Sequence, residues 1–159
     1  MAWIPFAGVA AWAAYRAITR RGGNFDEPSE ADSGDVGEPV TVTIQQLAQA
    51  IARAEGFGVA GAIPTLAHNP GDLVIPGWEG DTLGSAGISV LPDDQTGWAR
   101  LYHQLQLIVD GRSHVYSLDD SISDMADKWT TTDQEAWANN VAGALGVSPD
   151  VTLREILGA

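Results

Sequence analysis

The chain has 159 residues, of which 45% are hydrophobic, enough to bury one sizeable core but too few for two full domains. Its 21 acidic and 8 basic residues give a formal net charge of -13, which repels phosphate backbones and argues against nucleic-acid binding. The sequence contains no cysteine, which excludes disulfides, thiolate zinc sites and a cysteine nucleophile.

The N-terminal segment, residues 1–21, is an apolar run with arginines at its end. As a helix, the run from Ala2 to Tyr15 would be ~21 Å long, short of the ~30 Å hydrocarbon core of a bilayer. A cleavable signal peptide carries its positive charges before the apolar region, whereas here they follow it. We predict a hydrophobic helix that is an uncleaved membrane anchor or lies in the membrane interface. The alternative is a helix docked on the domain or on a neighbouring subunit.

Residues 22–40, GGNFDEPSEADSGDVGEPV, have the composition of a linker. They include six acidic residues, no basic ones, two prolines and four glycines. Such a stretch buries too little apolar area to offset the entropy lost on ordering. We therefore predict a flexible acidic linker between the N-terminal helix and a folded domain over residues 41–159.

The folded part begins with a clear helix signal. Apolar residues in TVTIQQLAQAIARAEG recur at helical spacing, which predicts a helix from about Ile44 to Glu55 with Thr43 as N-cap. Either Gly56 or Gly58 would end this helix. Residues 59–73 contain prolines and glycines and are predicted as loop.

The remaining sequence predicts one small β element among further helices. Residues 74–91, with GDTLGSAG at their centre, fit an irregular hairpin. PDDQTGWARLYHQLQLIVDG begins with cap residues and continues as a helix that Gly111 ends. Three helices should follow: one capped by Ser121, one capped by Thr132 or Asp133, and a last one with Ser148 as cap and Pro149 in its first turn. The predicted fold class is mainly α (α+β).

Glu55 is the carboxylate best placed for chemistry. It ends the first helix of the folded part, on or beside the apolar face. Partial desolvation and the negative end of the helix dipole both raise the pKa of a carboxyl group in such a place. A carboxyl that is protonated near neutral pH is what the general acid for glycosidic cleavage needs. The alternative is an ordinary solvated charge at a helix end.

The pattern around Glu55 extends over several blocks in a fixed order. The blocks are AIARAEGFG, NPGDL, ISVLPDDQTGWARLYHQL, SISDMADKWT and AWANNVAGALGV. This pattern resembles the lysozyme-like peptidoglycan-cleaving proteins: the soluble lytic transglycosylases and, more closely, the muralytic domains of phage virion proteins. The resemblance covers roughly residues 42–157. Two departures are His68, where the family often has a first asparagine, and Trp137, where it has a tyrosine.

The resemblance implies a lysozyme-like helical domain in which Glu55 protonates the leaving glycosidic oxygen. The NPGDL turn would form one wall of the saccharide cleft, although Asn69 has the alternative role of closing an Asx-type turn. The expected substrate-binding residues are Asn69, Asp72, Trp78, Glu79, Asp81 and Trp137.

A second carboxylate would distinguish two reaction types. Hydrolases use two carboxylates, whereas lytic transglycosylases resemble single-glutamate enzymes that leave a 1,6-anhydro product. The candidates for the second carboxylate are Asp72, Glu79 and Asp81. We expect the single-acid mechanism, with muramidase hydrolysis as the close rival.

The expected function is therefore peptidoglycan glycan-strand cleavage by a virion-associated lytic enzyme that acts in host-cell entry. Expected partners are peptidoglycan and, through residues 1–21, a membrane or virion proteins, with no nucleic acid. Because His68, His103 and His114 match no zinc-site spacing, we expect no metal and no cofactor. The alternatives are an anchored enzyme of the bacterial cell envelope, an endolysin, and a virion structural or glycan-binding protein that keeps the fold without cleaving.

Overall fold

The computed structural model describes residues 41–159; the predicted N-terminal helix and acidic linker lie outside these residues. Helices dominate this part of the chain, and two short strands form an antiparallel sheet. In chain order the elements are α1 (Ile44–Glu55), α2 (Ile63–Leu66), β1 (Thr82–Leu83), β2 (Ile88–Ser89), α3 (Asp94–Val109), α4 (Ile122–Trp129), α5 (Gln134–Leu145) and α6 (Leu153–Leu157). The mainly α (α+β) class predicted from the sequence is confirmed at this level.

Local signals fix both ends of α1. The Thr43 hydroxyl accepts a hydrogen bond from the Gln46 backbone, and the Gln46 side chain accepts one from the Thr43 backbone. This reciprocal pair satisfies amide groups that the first turn of a helix leaves free. Gly56 ends the helix in the left-handed conformation, with φ at 84°, which glycine adopts without steric cost. The predicted bounds of α1 are therefore confirmed.

Two predictions of local structure are wrong. Residues 59–73 are not all loop, since they contain α2, whose first turn accommodates Pro64 because that turn has amide groups without helical partners. The last helix is capped by Thr152, which shares a capping box with Glu155, and not by Ser148. Pro149 lies in a preceding turn instead, where its carbonyl oxygen accepts hydrogen bonds from the backbone and hydroxyl of Ser123.

The core forms around α1, which packs against α5 and α3, while α4 packs against α5. The apolar face of α1 that the sequence predicted is buried, with Leu47 and Ile51 almost fully enclosed. At the start of the described chain, the Val42 amide donates to the Ile156 carbonyl oxygen over 2.6 Å and so joins this end to α6. Within residues 41–159, no helix has both the length and the apolar character required to cross a membrane.

The hairpin predicted within residues 74–91 is present, with Thr82 opposite Ser89 and Leu83 opposite Ile88. Its second strand is tied to the NPGDL turn through Ser89. The Ser89 amide donates to the Leu73 carbonyl oxygen, and the Ser89 hydroxyl accepts from the Ile75 amide. A sheet of only two-residue strands is marginal by itself, so these bonds position it against the rest of the fold.

Gly97, in the first turns of α3, allows that helix to lie directly against the NPGDL turn. A side-chain carbon at this position would overlap the carbonyl oxygen of His68 and would lie 2.7 Å from Cδ of Pro70. Because a backbone atom is the obstacle, no rotamer change relieves the overlap. Because Gly97 has no side chain, α3 and the turn can lie in direct contact.

We expect Gly97→Ala to lower the free energy of unfolding by about 3 kcal/mol, because the methyl group forces α3 away from the turn. Urea unfolding measures this change. The matched control is Gly143→Ala, since Gly143 is a helical glycine in α5 with open space around it. The control should gain roughly 0.5–1 kcal/mol from helix propensity. Equal stabilities for the two variants would contradict the close contact.

Candidate active site

Glu55 is the last residue of α1, where the helix turns away from the core. Glu55 is partly buried, whereas Ile51, one turn earlier, is fully buried. This position follows from the sequence, because the left-handed Gly56 stops the helix one residue later. The carboxyl group therefore lies at the boundary between the core and solvent.

Two tryptophans and a tyrosine lie beside the Glu55 carboxyl group. The indole N–H of Trp137 donates a hydrogen bond of 2.7 Å to Oε1 of Glu55. Trp129 stacks on Trp137 with ring centroids 6.0 Å apart, and Tyr116 packs against Trp129 at 5.6 Å. All three aromatic side chains are buried. The carboxyl group is thus held in largely apolar surroundings with one strong hydrogen bond.

These surroundings change the acidity of Glu55. The pKa of Glu55 is raised from 4.5 to about 8; desolvation by burial is the largest cause, and the negative charge of Asp72 is the second. The indole groups of Trp137 and Trp129 act in the opposite direction, because a donor favours the charged carboxylate. Burial dominates, so Glu55 is mostly protonated at neutral pH.

Glu55 also acts on one of its aromatic neighbours. Desolvation raises the pKa of Tyr116 well above its usual range, and the charges of Asp120 and Glu55 add to the effect. The Tyr116 hydroxyl donates to the Lys128 carbonyl oxygen over 3.3 Å. Tyr116 therefore stays neutral and serves as an apolar wall near the carboxyl group.

Among the candidates for the second carboxylate, Asp72 is the one whose charge acts on Glu55. It is 4% exposed and lies at the end of the NPGDL turn, with a left-handed backbone at φ 51°. Its amide donates to the Asn69 carbonyl oxygen over 2.9 Å. The turn thus determines where the Asp72 carboxylate lies.

The predicted substrate-binding residue Asn69 lies in the interior and is 0% exposed. Its amide nitrogen donates to the carbonyl oxygens of Leu73 and Ser89, at 2.8 and 3.0 Å, and its oxygen accepts from the Leu73 amide. The side chain therefore closes the turn and joins it to β2. This is the alternative role that the sequence left open, and the amide groups engaged here are not directed at solvent.

The remaining predicted binding residues of the hairpin are at its outer end. Glu79 and Asp81 are exposed, and neither is among the groups that shift the pKa of Glu55. The Trp78 indole N–H donates to the Asp81 carbonyl oxygen over 3.0 Å, and the ring covers Gly80. Trp78 therefore shapes this loop. A role of the three residues in binding substrate stays a prediction.

Trp137 lies in the candidate site, although its ring is only 5% exposed and its N–H is used by Glu55. The structure also brings in Trp129 and Tyr116, which the sequence did not single out for the site. A signal for Trp129 was present, because its spacing from Ile122 and Met125 places it on the buried face of α4. Nδ1 of His68 lies 2.6 Å from Oδ1 of Asp94, at the start of α3.

A metal site and a surface cavity were the other candidates for a functional site within residues 41–159. No cluster of three or more histidine or acidic side chains in this part of the chain is arranged to hold a metal ion. A surface cavity of about 270 Å³ is lined by residues of α1 and α5, Arg53 and Leu145 among them, but not by Glu55. The candidate chemistry therefore centres on the carboxyl group and not on the cavity.

Comparison of the chain with protein-family models, with curated proteins and with solved structures gives no match.

We expect Asn69→Ala to lower the free energy of unfolding by about 3 kcal/mol, because it leaves buried backbone groups of Leu73 and Ser89 without their partner. Urea unfolding provides the measurement. Asn139→Ala is the matched control, since Asn139 is exposed on α5, and it should change stability by less than about 0.5 kcal/mol. A small effect at Asn69 would show that the turn does not depend on this side chain.

The raised pKa of Glu55 also predicts how stability varies with pH. Between pH 4.5 and about 8 the folded protein keeps a proton that the unfolded chain has released, so stability falls as pH rises through this window. Glu55→Gln removes this loss. We expect the variant to gain up to about 5 kcal/mol relative to wild type between about pH 4 and about pH 9.

Urea unfolding of both proteins at several pH values measures this difference. Glu79→Gln, which removes an exposed carboxylate, controls for the loss of one negative charge. If Glu55→Gln and wild type keep the same stability difference at every pH, Glu55 does not hold a proton in the folded state.

Proposed function

We propose that this protein cleaves the glycan strands of peptidoglycan through a lysozyme-like domain in which Glu55 is the general acid. The observation that carries the proposal is the carboxyl group at the end of α1, which burial keeps protonated at neutral pH and which Trp137 orients. A group of this kind combines the two requirements of a general acid, a proton at the working pH and a fixed direction. The sequence resemblance to lytic transglycosylases and phage muralytic domains supports the substrate class.

In the proposed reaction, Glu55 gives its proton to the glycosidic oxygen as the bond to the anomeric carbon breaks. The electron pair of that bond stays with the leaving oxygen, and positive charge develops on the sugar ring. The carboxylate formed on Glu55 supplies a negative charge that offsets the positive charge on the sugar. In a lytic transglycosylase the 6-hydroxyl of the same sugar then attacks the anomeric carbon and returns a proton to Glu55, giving the 1,6-anhydro product.

The positions of the other carboxylates favour this single-acid mechanism. Glu79 and Asp81 are exposed on the hairpin and do not contribute to the electrostatics of Glu55. Asp72 does contribute, but it is almost fully buried. Muramidase hydrolysis remains the rival mechanism, with Asp72 as the second carboxylate, since neighbouring carboxyls with different environments can divide acid and base roles.

We further propose that the enzyme is virion-associated and acts during host-cell entry, with residues 1–21 attached to a membrane or to virion proteins. The support comes from sequence: an apolar run followed by arginines, then an acidic linker. A net charge of -13 gives no long-range attraction to anionic cell surfaces. Tethering compensates for this, because it raises the local concentration of the domain at the wall.

Zymography on purified peptidoglycan tests the function. Wild type should clear the substrate, and Glu55→Gln should lose roughly 10²–10⁴-fold in rate, because it cannot supply the proton. Glu79→Gln is the matched control for an exposed carboxylate and should retain more activity than Glu55→Gln. If wild type clears nothing and only binds the polymer, the protein is a glycan-binding or structural virion component instead.

The pH profile and the products distinguish the mechanisms. Wild-type activity should fall above about pH 8, because Glu55 then loses the proton that it must donate. Mass spectrometry of the products should find 1,6-anhydro ends. Reducing ends would replace the transglycosylase mechanism by hydrolysis, and activity that keeps rising past this pH would contradict Glu55 as the acid.

A further inference from the structure

The hydrogen bond between Trp137 and Glu55 determines which carboxyl oxygen carries the proton. An indole nitrogen only donates, so Oε1 of Glu55 acts as the acceptor of the 2.7 Å bond whether the carboxyl is protonated or not. In a neutral carboxyl group the carbonyl oxygen is the better acceptor. The acid proton therefore resides on Oε2, the oxygen that Trp137 does not hold.

Trp129 offers a second indole N–H that is not used in the same way. The side chain is 2% exposed, and among residues 41–159 its Nε1 has no hydrogen-bond partner. A buried donor without an acceptor costs free energy and is rare in folded proteins. Trp129 stacks on Trp137 with the rings 28° from parallel, and both indole groups act as donors that lower the pKa of Glu55. The charged form of Glu55 is thus the acceptor that this N–H group can reach.

We propose that Trp137 and Trp129 form a two-indole cradle for Glu55, in which Trp137 holds Oε1 in both protonation states and Trp129 hydrogen-bonds the carboxylate only after the proton has left. Both tryptophans are positioning residues that act through Glu55. The cradle itself follows from the contacts of the three side chains. Its role in catalysis rests on the proposed function.

The cradle resolves a conflict in the electrostatics of the site. Burial and the Asp72 charge keep the proton on Glu55, yet a general acid must also release it. Two donors that bind the carboxylate more strongly than the neutral acid stabilise the charged state as it forms. Tyr116, whose pKa the Glu55 charge helps to raise, stays neutral and donates to the Lys128 carbonyl oxygen, so it supplies no such help.

The test follows the indole N–H signals of the full chain by proton–nitrogen NMR while the pH is raised. The chain has six tryptophans, and single Trp→Phe variants assign the signals. We expect the Trp137 and Trp129 signals to shift with a shared midpoint near the Glu55 titration, with Trp129 moving downfield as its hydrogen bond forms. Both shifts should be absent in Glu55→Gln. A Trp129 signal that does not titrate, or one that still titrates in Glu55→Gln, overturns the cradle.

Substitution of each cradle tryptophan by phenylalanine measures how much its indole donor lowers the titration midpoint of Glu55. In Trp137→Phe and Trp129→Phe, the Glu55 titration midpoint should rise by about one pH unit, because the carboxylate loses a donor. Trp98→Phe is the matched control: its indole packs on Phe57 and Tyr102, and its loss should leave the midpoint unchanged. If Trp129→Phe lowers stability without moving the midpoint, its role is only packing and the proposal fails.

Kinetics link the cradle to the proposed reaction. For an active enzyme, both cradle variants should lower kcat about tenfold with KM little changed, and the alkaline fall in activity should move to higher pH. The NMR titration needs no activity. If the indole signals titrate as expected but the protein cleaves no peptidoglycan, the cradle is supported and the proposed function is rejected. If the protein is active but the Trp129 signal does not titrate, the function is supported and the cradle is rejected.

Discussion

The desolvation of one carboxyl group at the end of α1 is the constraint on which the site depends. A charged Glu55 would be costly in these surroundings, so the fold either keeps the proton in place or must supply donors when it leaves. The bond to Trp137 joins residues 82 positions apart, which makes the packing of α1 on α5 a condition for the chemistry. The acidity of Glu55 therefore depends on how α1 packs on α5.

The NPGDL turn has a second structural role besides its place near Glu55. Asn69 uses its whole amide group to hold Leu73 and β2, and so a residue of the type that binds sugars is committed to the backbone. The same turn forces Asp72 into a left-handed conformation and places its charge near Glu55. Strain of this kind persists only where the surrounding contacts over-determine it.

Sequence predicts best what local chemistry decides. Thr43 and Gly56 mark the two ends of α1 in the sequence, and Ser121 does the same for the start of α4. The four-residue α2 was missed because a short helix with a proline in its first turn resembles a loop. Glu55 could be chosen from its position at a helix end. The resemblance placed Trp137 and Asp72 in the site, but the hydrogen bond from Trp137 to Glu55 could not be predicted, because it arises from packing between helices that are distant in sequence.

The close approach of α3 to residues 68–70 has a mechanical consequence. At Gly97 the helix meets the turn through backbone atoms, with no side chain between them that could compress or rotate. Backbone contacts of this kind resist small displacements, so α3 and the turn should move as one rigid body. The hairpin is tied to the same turn, since the Asn69 side-chain amide donates to the Ser89 carbonyl oxygen and the Ser89 backbone amide donates to the Leu73 carbonyl oxygen. A force that displaces α3 would therefore pass through the turn to the two short strands of the hairpin.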